Sequence, residues 1–289
     1  NDDTVNIVNK FCKVNEKIKL INNPKKTAPS ALNLGLQFSK SEIIIRCDAH
    51  AYYPPKYIKN NVDLMNKSDE KTMNVGGIVV TKSKIDNTIS QSIATTLSSP
   101  FGVGNSQFRI GMGKEKKILQ TDTVPFGCFR RKIFEIIGYF NEDEPGNEDL
   151  EFNNRIKEAG YKIVISNSIY SYYHPRSDLK SFLKQTINNG LITTKNKNFQ
   201  FRSWRHYMPL SFFLFLTIGI INSLTTEYKI ISYFFNYGIL IYLSFILFGT
   251  VHSLIKEKKY YFLLIGPLIF ILLHLSYGFG SFLGLFILK

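Results

Sequence analysis

Cysteine is scarce in this chain: there are three in 289 residues, Cys12, Cys47 and Cys128. They lie far apart and form no C-x-x-C pair, so neither a zinc site nor a disulfide framework is indicated, and reduced thiols fit best. No secretory signal pattern opens the sequence. No segment repeats at a fixed period, which excludes solenoids and propellers. Acidic residues are in short supply, with 22 Asp and Glu against 36 Lys and Arg, a formal charge of +14. That excess favours anionic partners such as phosphates or acidic lipid headgroups. Nucleic acid is not expected as a partner, because the basic residues are scattered and no binding motif accompanies them. Residues 1–207 also lack any apolar run long enough to cross a bilayer.

That lack ends abruptly. Met208 to Leu224, Ile230 to about Ile255, and Tyr260 onward are each apolar enough to span a hydrocarbon core of roughly 30 Å. The near-zero mean hydropathy averages a polar first two thirds with an apolar last third. Lys195, Lys197, Arg202 and Arg205 crowd the approach to the first span, and Lys256, Lys258 and Lys259 precede the third. Only Glu227 and Lys229 stand between the first two. The positive-inside rule therefore predicts a multi-pass protein of the cell (inner) membrane with residues 1–195 cytoplasmic, joined to the spans of 208–289 by a basic linker at 196–207. Gly278, Gly280 and Gly284 interrupt the third segment and predict that it crosses once and then lies partly in the interface.

Before the spans, the pattern reads as α/β. Val5 to Phe11 has helical spacing, and Ile18 to Ile21 reads as a short strand. Ser30 offers an N-cap for a helix through Phe38. Glu42 to Cys47 has the unbroken apolar centre of a strand covered on both faces. A strand, a helix and a strand in this length predict a right-handed crossover and a parallel pair. Pro54-Pro55 opens a helix through Met65, and Val75 to Val80 is a further strand. Residues 98–118, rich in Gly, Ser and Lys, read as a long loop. Val124 to Phe129 reads as a strand, Glu148 to Ala159 as a helix, Tyr161 to Ile165 as a strand, and about Asp178 to Ile187 as a last helix. The chain begins with Asn, in a polar Asn1–Thr4 that leads straight into a helix, so a longer protein is expected upstream.

Two constellations carry chemistry. Asp48-Ala49-His50 directly follows the Glu42–Cys47 strand, and ligands of open α/β sheets collect beyond the carboxyl ends of strands. A carboxylate and an imidazole two residues apart can address one cation; mixed O and N donors suit Mn²⁺, whereas Mg²⁺ prefers oxygen throughout. Such a cation would neutralise a departing diphosphate. Taken alone, the triplet also reads as an Asp and a His in a surface turn. Asn147-Glu148-Asp149 opens the later helix. Acidic residues there complement the helix dipole, or else one carboxylate faces the sheet as a general base toward an acceptor hydroxyl.

The pair, in this order and spacing, resembles the family 2 glycosyltransferases of GT-A fold. Ala31-Leu32-Asn33-Leu34-Gly35 and Arg46-Cys47-Asp48-Ala49-His50-Ala51-Tyr52-Tyr53-Pro54-Pro55 are similar to the nucleotide-sugar half. Asp122 to Arg131, followed by Gly146 to Asn153, is similar to the acceptor half. The likeness is nearest to membrane-anchored members of succinoglycan-biosynthesis type, in which Asp-Ala-His stands where others have Asp-X-Asp. It covers about residues 1–195 and implies a mixed, mostly parallel sheet flanked by helices, lacking the family's opening strand–helix–strand unit. It implies that Asp48 and His50 bind a divalent cation, Mn²⁺ or Mg²⁺. Asp48 and Asn33 would contact the donor. Asp149 would be the base, supported by Glu148. Arg176 and Gln185 would close on the diphosphate, although a helix-start Arg and an exposed Gln are the plainer reading of those two.

The implied activity is inverting transfer of a sugar from a nucleotide-diphosphate donor to a lipid-linked saccharide, in exopolysaccharide, capsule or surface-glycan synthesis. Transfer straight to polyprenyl phosphate is a close alternative. A membrane-anchored binding or scaffold protein with a non-catalytic transferase fold is a third. Isolated histidines at 252 and 274, and spans without repeated buried charge, argue against a transporter.

Overall fold

The computed structural model describes residues 3–113, 118–143, 146–195, 204–225 and 228–287. Six strands form one sheet: β1 (Ile43–Ile45), β2 (Ala51–Tyr52), β3 (Thr72–Thr81), β4 (Ile118–Gln120), β5 (Cys128–Arg130) and β6 (Lys162–Tyr173). The order is β1-β5-β3-β6-β2, with β4 also pairing β6. The sheet is mixed, as expected, but among the described strands only β3 and β6 run parallel. The parallel partner expected for β1 from Ile18–Ile21 does not form; that stretch has no regular structure, and Ile18 and Leu20 stay exposed. Four apolar residues read alike whether or not a neighbour supplies the ladder. β1 pairs with β5 in antiparallel register instead, Ile45 opposite Cys128. Of the stretch expected as a strand over Val124 to Phe129, only its last two residues enter β5.

Helices cover both faces. On one, α3 (Tyr57–Lys67) sets Tyr57, Leu64 and Met65 against Val75, Cys128 and Ile169. On the other, α2 (Ala28–Phe38), α7 (Lys132–Ile137) and α8 (Glu148–Glu158) bury Leu36, Ile133, Phe134, Phe152 and Ile156 on Phe129, Ile163 and Ile165. α1 (Thr4–Val14) lies on the exterior with no buried residue. Ser30 is not the cap of α2. Thr27 holds that position, and the Ser30 hydroxyl donates to Asn23 Oδ1 and to the Thr27 carbonyl from inside the first turn.

The 98–118 stretch expected as a loop holds two short helices, α5 (Pro100–Val103) and α6 (Gln107–Ile110), and α4 (Thr88–Leu97) precedes it in residues where the sequence predicted no element. The three fill the space between the sheet and the apolar helices. Phe101 of α5 packs at a tilt against Phe245 and edge-on against Phe248, and its carbonyl accepts from His274 Nε2 at 2.9 Å. Residues 196–203 of the basic linker lie outside the described residues, as do Asn1 and Glu227.

α10 (Met208–Thr225), α11 (Lys229–Glu257) and α12 (Phe262–Phe286) are long and apolar enough to cross a membrane. α12 is continuous; its glycines do not interrupt it. Gly280 and Gly284 are where α9 (Leu179–Lys195), the last described helix before the linker, lies against it, and Gly278 is where α10 does, at Pro209 and Phe213. A Cβ on Gly280 would stand 2.0 Å from the Ile187 carbonyl oxygen, and one on Gly284 would stand 2.1 Å from Thr194 Oγ1. Small residues let two helix backbones approach, and hydroxyls fasten them. Thr186 bonds Ser276 at 2.6 Å, and Thr194 donates to the Ser281 carbonyl at 2.7 Å.

Candidate active site

β1 ends at Ile45, and the next residue still follows the ladder: the Arg46 amide donates to the Gly127 carbonyl at 3.1 Å. Its guanidinium is therefore fixed beneath the turn before β5, where it gathers three carboxylates. Nε and one terminal nitrogen take both oxygens of Asp48, at 2.6 and 2.8 Å. The other terminal nitrogen donates to Asp149 at 2.6 Å, and the shared one also donates to Glu148 at 2.9 Å. Two groups a hundred residues apart in sequence thus meet on one cation. The planar fork of arginine suits this, because its donors match carboxylate geometry.

Each carboxylate is held from its own side. The Asp48 amide donates to the Tyr53 hydroxyl at 2.6 Å, and the Tyr53 ring packs edge-on against Phe126. Asp149 comes from the first turn of α8, which Asn147 enters in the left-handed region (φ 61°). Below it, a buried amide ladder ties α8 to the sheet. Asn153 donates to Thr123 Oγ1 at 2.8 Å and accepts from Asn74, which in turn accepts from the Cys128 amide. The third acidic residue of that turn, Glu151, pairs with Arg155 and takes no part. The Phe126 amide points at the second Asp149 oxygen, at 3.4 Å. It sits in a tight three-residue turn closed by Gly127 N–H to the Pro125 carbonyl, with Phe126 at φ 65°. Positive φ on an aromatic residue is strained, and strain of this kind concentrates at working sites.

Burial raises the Asp149 pKa, and Glu148 and Asp48 add to that against the pull of Arg46 and the Phe126 amide; the result is about 6. For Arg46, burial works against the charge, but Asp149, Asp48 and Glu148 outweigh it and hold the guanidinium above its usual value. Burial also raises Tyr53, so its hydroxyl stays protonated against Asp48.

The other expected residues lie as follows. His50 is exposed on the turn after Asp48, its ring edge toward Tyr173 with centroids 6.2 Å apart. Gln185 reaches the same Tyr173 hydroxyl at 3.3 Å. Arg176 is exposed in the turn after β6. Asn33 is turned inward: its amide donates to the Phe140 carbonyl and Glu142 and accepts from the Phe140 amide, pinning that turn. Among the described residues, no three of His, Cys, Asp and Glu gather in a way that would cage a metal ion. Asp48 nevertheless keeps lone pairs beyond the two used by Arg46. Asp48 with His50 fits an ion that completes its shell with substrate oxygens and water. The carboxylates also outnumber the guanidinium three to one, which an anionic substrate would meet as repulsion unless a cation came with it. Arg46 and the Asn74–Asn153 ladder had no assigned role in the sequence reading. The signal available was an arginine inside an otherwise apolar strand end, two residues before the aspartate.

Residues 1–138 match the model of "Glycosyl transferase family 2". Over these residues, just under half of the chain, the sequence is similar to that family. A relative from Methanococcus voltae, dolichyl N-acetyl-alpha-D-glucosaminyl phosphate 3-beta-D-2,3-diacetamido-2,3-dideoxy-beta-D-glucuronosyltransferase, is 28% identical over 98% of this chain and 84% of its own length. Succinoglycan biosynthesis protein ExoA of Rhizobium meliloti (strain 1021) is 25% identical over 73% of this chain and 62% of its own. Among solved structures, the mannosyltransferase PcManGT from Pyrobaculum calidifontis, in complex with GDP-Man and Mn²⁺, matches 96% of this chain and 74% of its own. Its TM-score is 0.52 and its identity 13%, a likeness of fold. In this chain the carboxylates of Asp48, just after β1, and of Glu148 and Asp149, in the first turn of α8, gather on Arg46.

Proposed function

We propose that this glycosyltransferase moves a sugar, with inversion, from a nucleotide-diphosphate donor to a lipid-linked saccharide during surface-glycan or exopolysaccharide synthesis. The carrying observation is the meeting of Asp48 with Asp149 and Glu148 on Arg46. It supports one cleft with a donor wall and an acceptor wall. Both full-length relatives named above act in glycan assembly, one of them, by its name, on a dolichyl-phosphate-linked sugar.

In this reading Asp149, ionised above about pH 6, takes the proton of the acceptor hydroxyl as it attacks the anomeric carbon. Arg46 holds Asp149 and Asp48 at a fixed spacing, and Glu148 keeps the guanidinium turned to the pair. Tyr53 fixes the backbone of Asp48. Asp48 and His50 would hold a divalent cation, Mn²⁺ or Mg²⁺, which when bound supplies positive charge to the departing diphosphate. Gln185 shares Tyr173 with His50, which supports a place for it at the donor's far end, and Arg176 would meet the donor there too; Asn33 would act indirectly, through the turn it anchors.

The catalytic part is residues 1–195, the linker 196–207 and the membrane part 208–289, with the catalytic side facing the cytoplasm of the cell membrane. The test is transfer by the full-length protein in nanodiscs, offering a polyprenyl-linked saccharide and, separately, polyprenyl phosphate. General base catalysis contributes about 10²–10⁴-fold, so Asp149→Asn is expected to lower transfer by that order. Near-normal turnover in that variant would sink the assignment. A preference for bare polyprenyl phosphate would replace the proposed acceptor.

A further inference from the structure

A second cleft, of about 710 Å³, opens between the carboxyl end of β3 and the turn joining α11 to α12. One wall is the loop Lys82–Asp86; the other is Lys256, Glu257 and Lys259, where the apolar helices stop. Cations dominate it. Lys84, Arg109, Lys256 and Lys259 line it with only Asp86 and Glu257 in opposition. Those two acids are already engaged, Asp86 by Gln91 and Glu257 by Lys259 at 3.8 Å. Lys82, also on the wall, lies over the Tyr172 ring.

Arg109 is the unusual member. One terminal nitrogen of its guanidinium is fully buried and has no hydrogen-bond partner among the described residues. No carboxylate pairs with it there; it faces the rings of Phe108 and Tyr173 instead. A buried guanidinium donor left unpaired costs free energy; Arg109 lines the cleft, and by turning its head group toward an anion there it would gain the missing partner. Tyr173 also touches His50, so the cleft borders the cation-binding turn proposed above.

A phosphate would satisfy this set, and its place says which. The cleft sits at the level where the membrane-spanning helices begin, so its anion is one that a lipid presents. We propose that this cleft binds the phosphate group of the polyprenyl-linked acceptor, with Arg109 as the buried anchor and Lys256 and Lys259 as its rim at the bilayer surface. The proposal rests on the lipid-linked acceptor reading and assigns that acceptor a place.

The experiment measures binding rather than transfer, so it succeeds or fails independently of the role of Asp149. The full chain in phosphatidylcholine nanodiscs is titrated with polyprenyl phosphate and, in parallel, with phosphatidylglycerol, inorganic phosphate, UDP and GDP. Polyprenyl phosphate is expected to bind, and a Lys256→Glu/Lys259→Glu double variant to bind it about tenfold more weakly, with nucleotide affinity unchanged. Arg109→Met is expected to weaken it at least as much, and Arg109→Lys to restore part of it. Unchanged lipid binding in the rim variant would overturn the proposal. So would equal binding of phosphatidylglycerol, which would make the cleft a general anionic-lipid contact. A rim variant that lost nucleotide instead, or a cleft that preferred inorganic phosphate to the lipid, would also overturn it.

Discussion

Arg46 makes three acids tolerable in one place, and its removal separates two effects. Only 8% of its side-chain surface is exposed, while Asp48, Glu148 and Asp149 keep 19, 12 and 28%. Arg46→Met strands them together; loss of one partner from a buried pair costs about 3 kcal/mol at the low end of the known range, which suits carboxylates that still touch water. Arg46 also holds the Asp149 pKa down against burial and its acidic neighbours. Transfer by the native protein should therefore rise as pH increases through about 6, and in Arg46→Met that limb should move to higher pH. A pH–rate profile of both proteins checks the shift. Stability has the opposite sense. Asp149 binds its proton more tightly folded than an ordinary aspartate at 3.8, so its contribution is present below that pH and lost as pH rises through about 6. Asp149→Asn should flatten that part of a melting-temperature profile.

At the scale of elements, glycine has opposite meanings in two helices. Gly35 of α2 has open space around its Cβ position, so Gly35→Ala should leave stability unchanged or raise it by about 0.5–1 kcal/mol through helix propensity. On α12, Gly280→Val drives a side chain into the backbone of Ile187, which cannot move aside as a side-chain tip would. A cost of about 1–3 kcal/mol is expected, with faster proteolysis of the catalytic part from the spans. The two variants, melted side by side in detergent, distinguish packing from propensity. This also explains what the sequence made legible. Helix α8 and the three spans were readable because long, strongly patterned segments carry their own signal. The glycines of α12 read as interruptions because their partners, on α9 and α10, are distant in sequence: Gly280 meets Ile187, Gly284 meets Thr194 and Gly278 meets Pro209. Helices α5 and α6 were hidden because they have four residues each, too few to show a helical period. Asp48, Glu148 and Asp149 were found by motif. Arg46 was not, because the reason for its charge is visible only when both ends of the chain segment meet.

For the whole molecule, the Lys256–Lys259 turn, where α11 ends, lies across a cleft from the carboxyl end of β3, and Thr225 and Lys229 are the opposite ends of α10 and α11. Cys47 is exposed and reports the catalytic side. In sealed inverted vesicles a membrane-impermeant maleimide should label Cys47 from outside. A Leu224→Cys substitution in a Cys12→Ser/Cys47→Ser background should stay unlabelled until detergent is added. The reverse pattern would turn the protein over.

The seam between α9 and α12 has a consequence for what the enzyme can build. A transferase on a flexible tether can follow a growing glycan outward, but here the last helix of the catalytic part interlocks with a membrane span by backbone contact. The height of the carboxylate cluster over the lipid surface is then a constant of the molecule, like the gap of a caliper. On the proposed reading, only an acceptor whose free hydroxyl stands at that height would be in register.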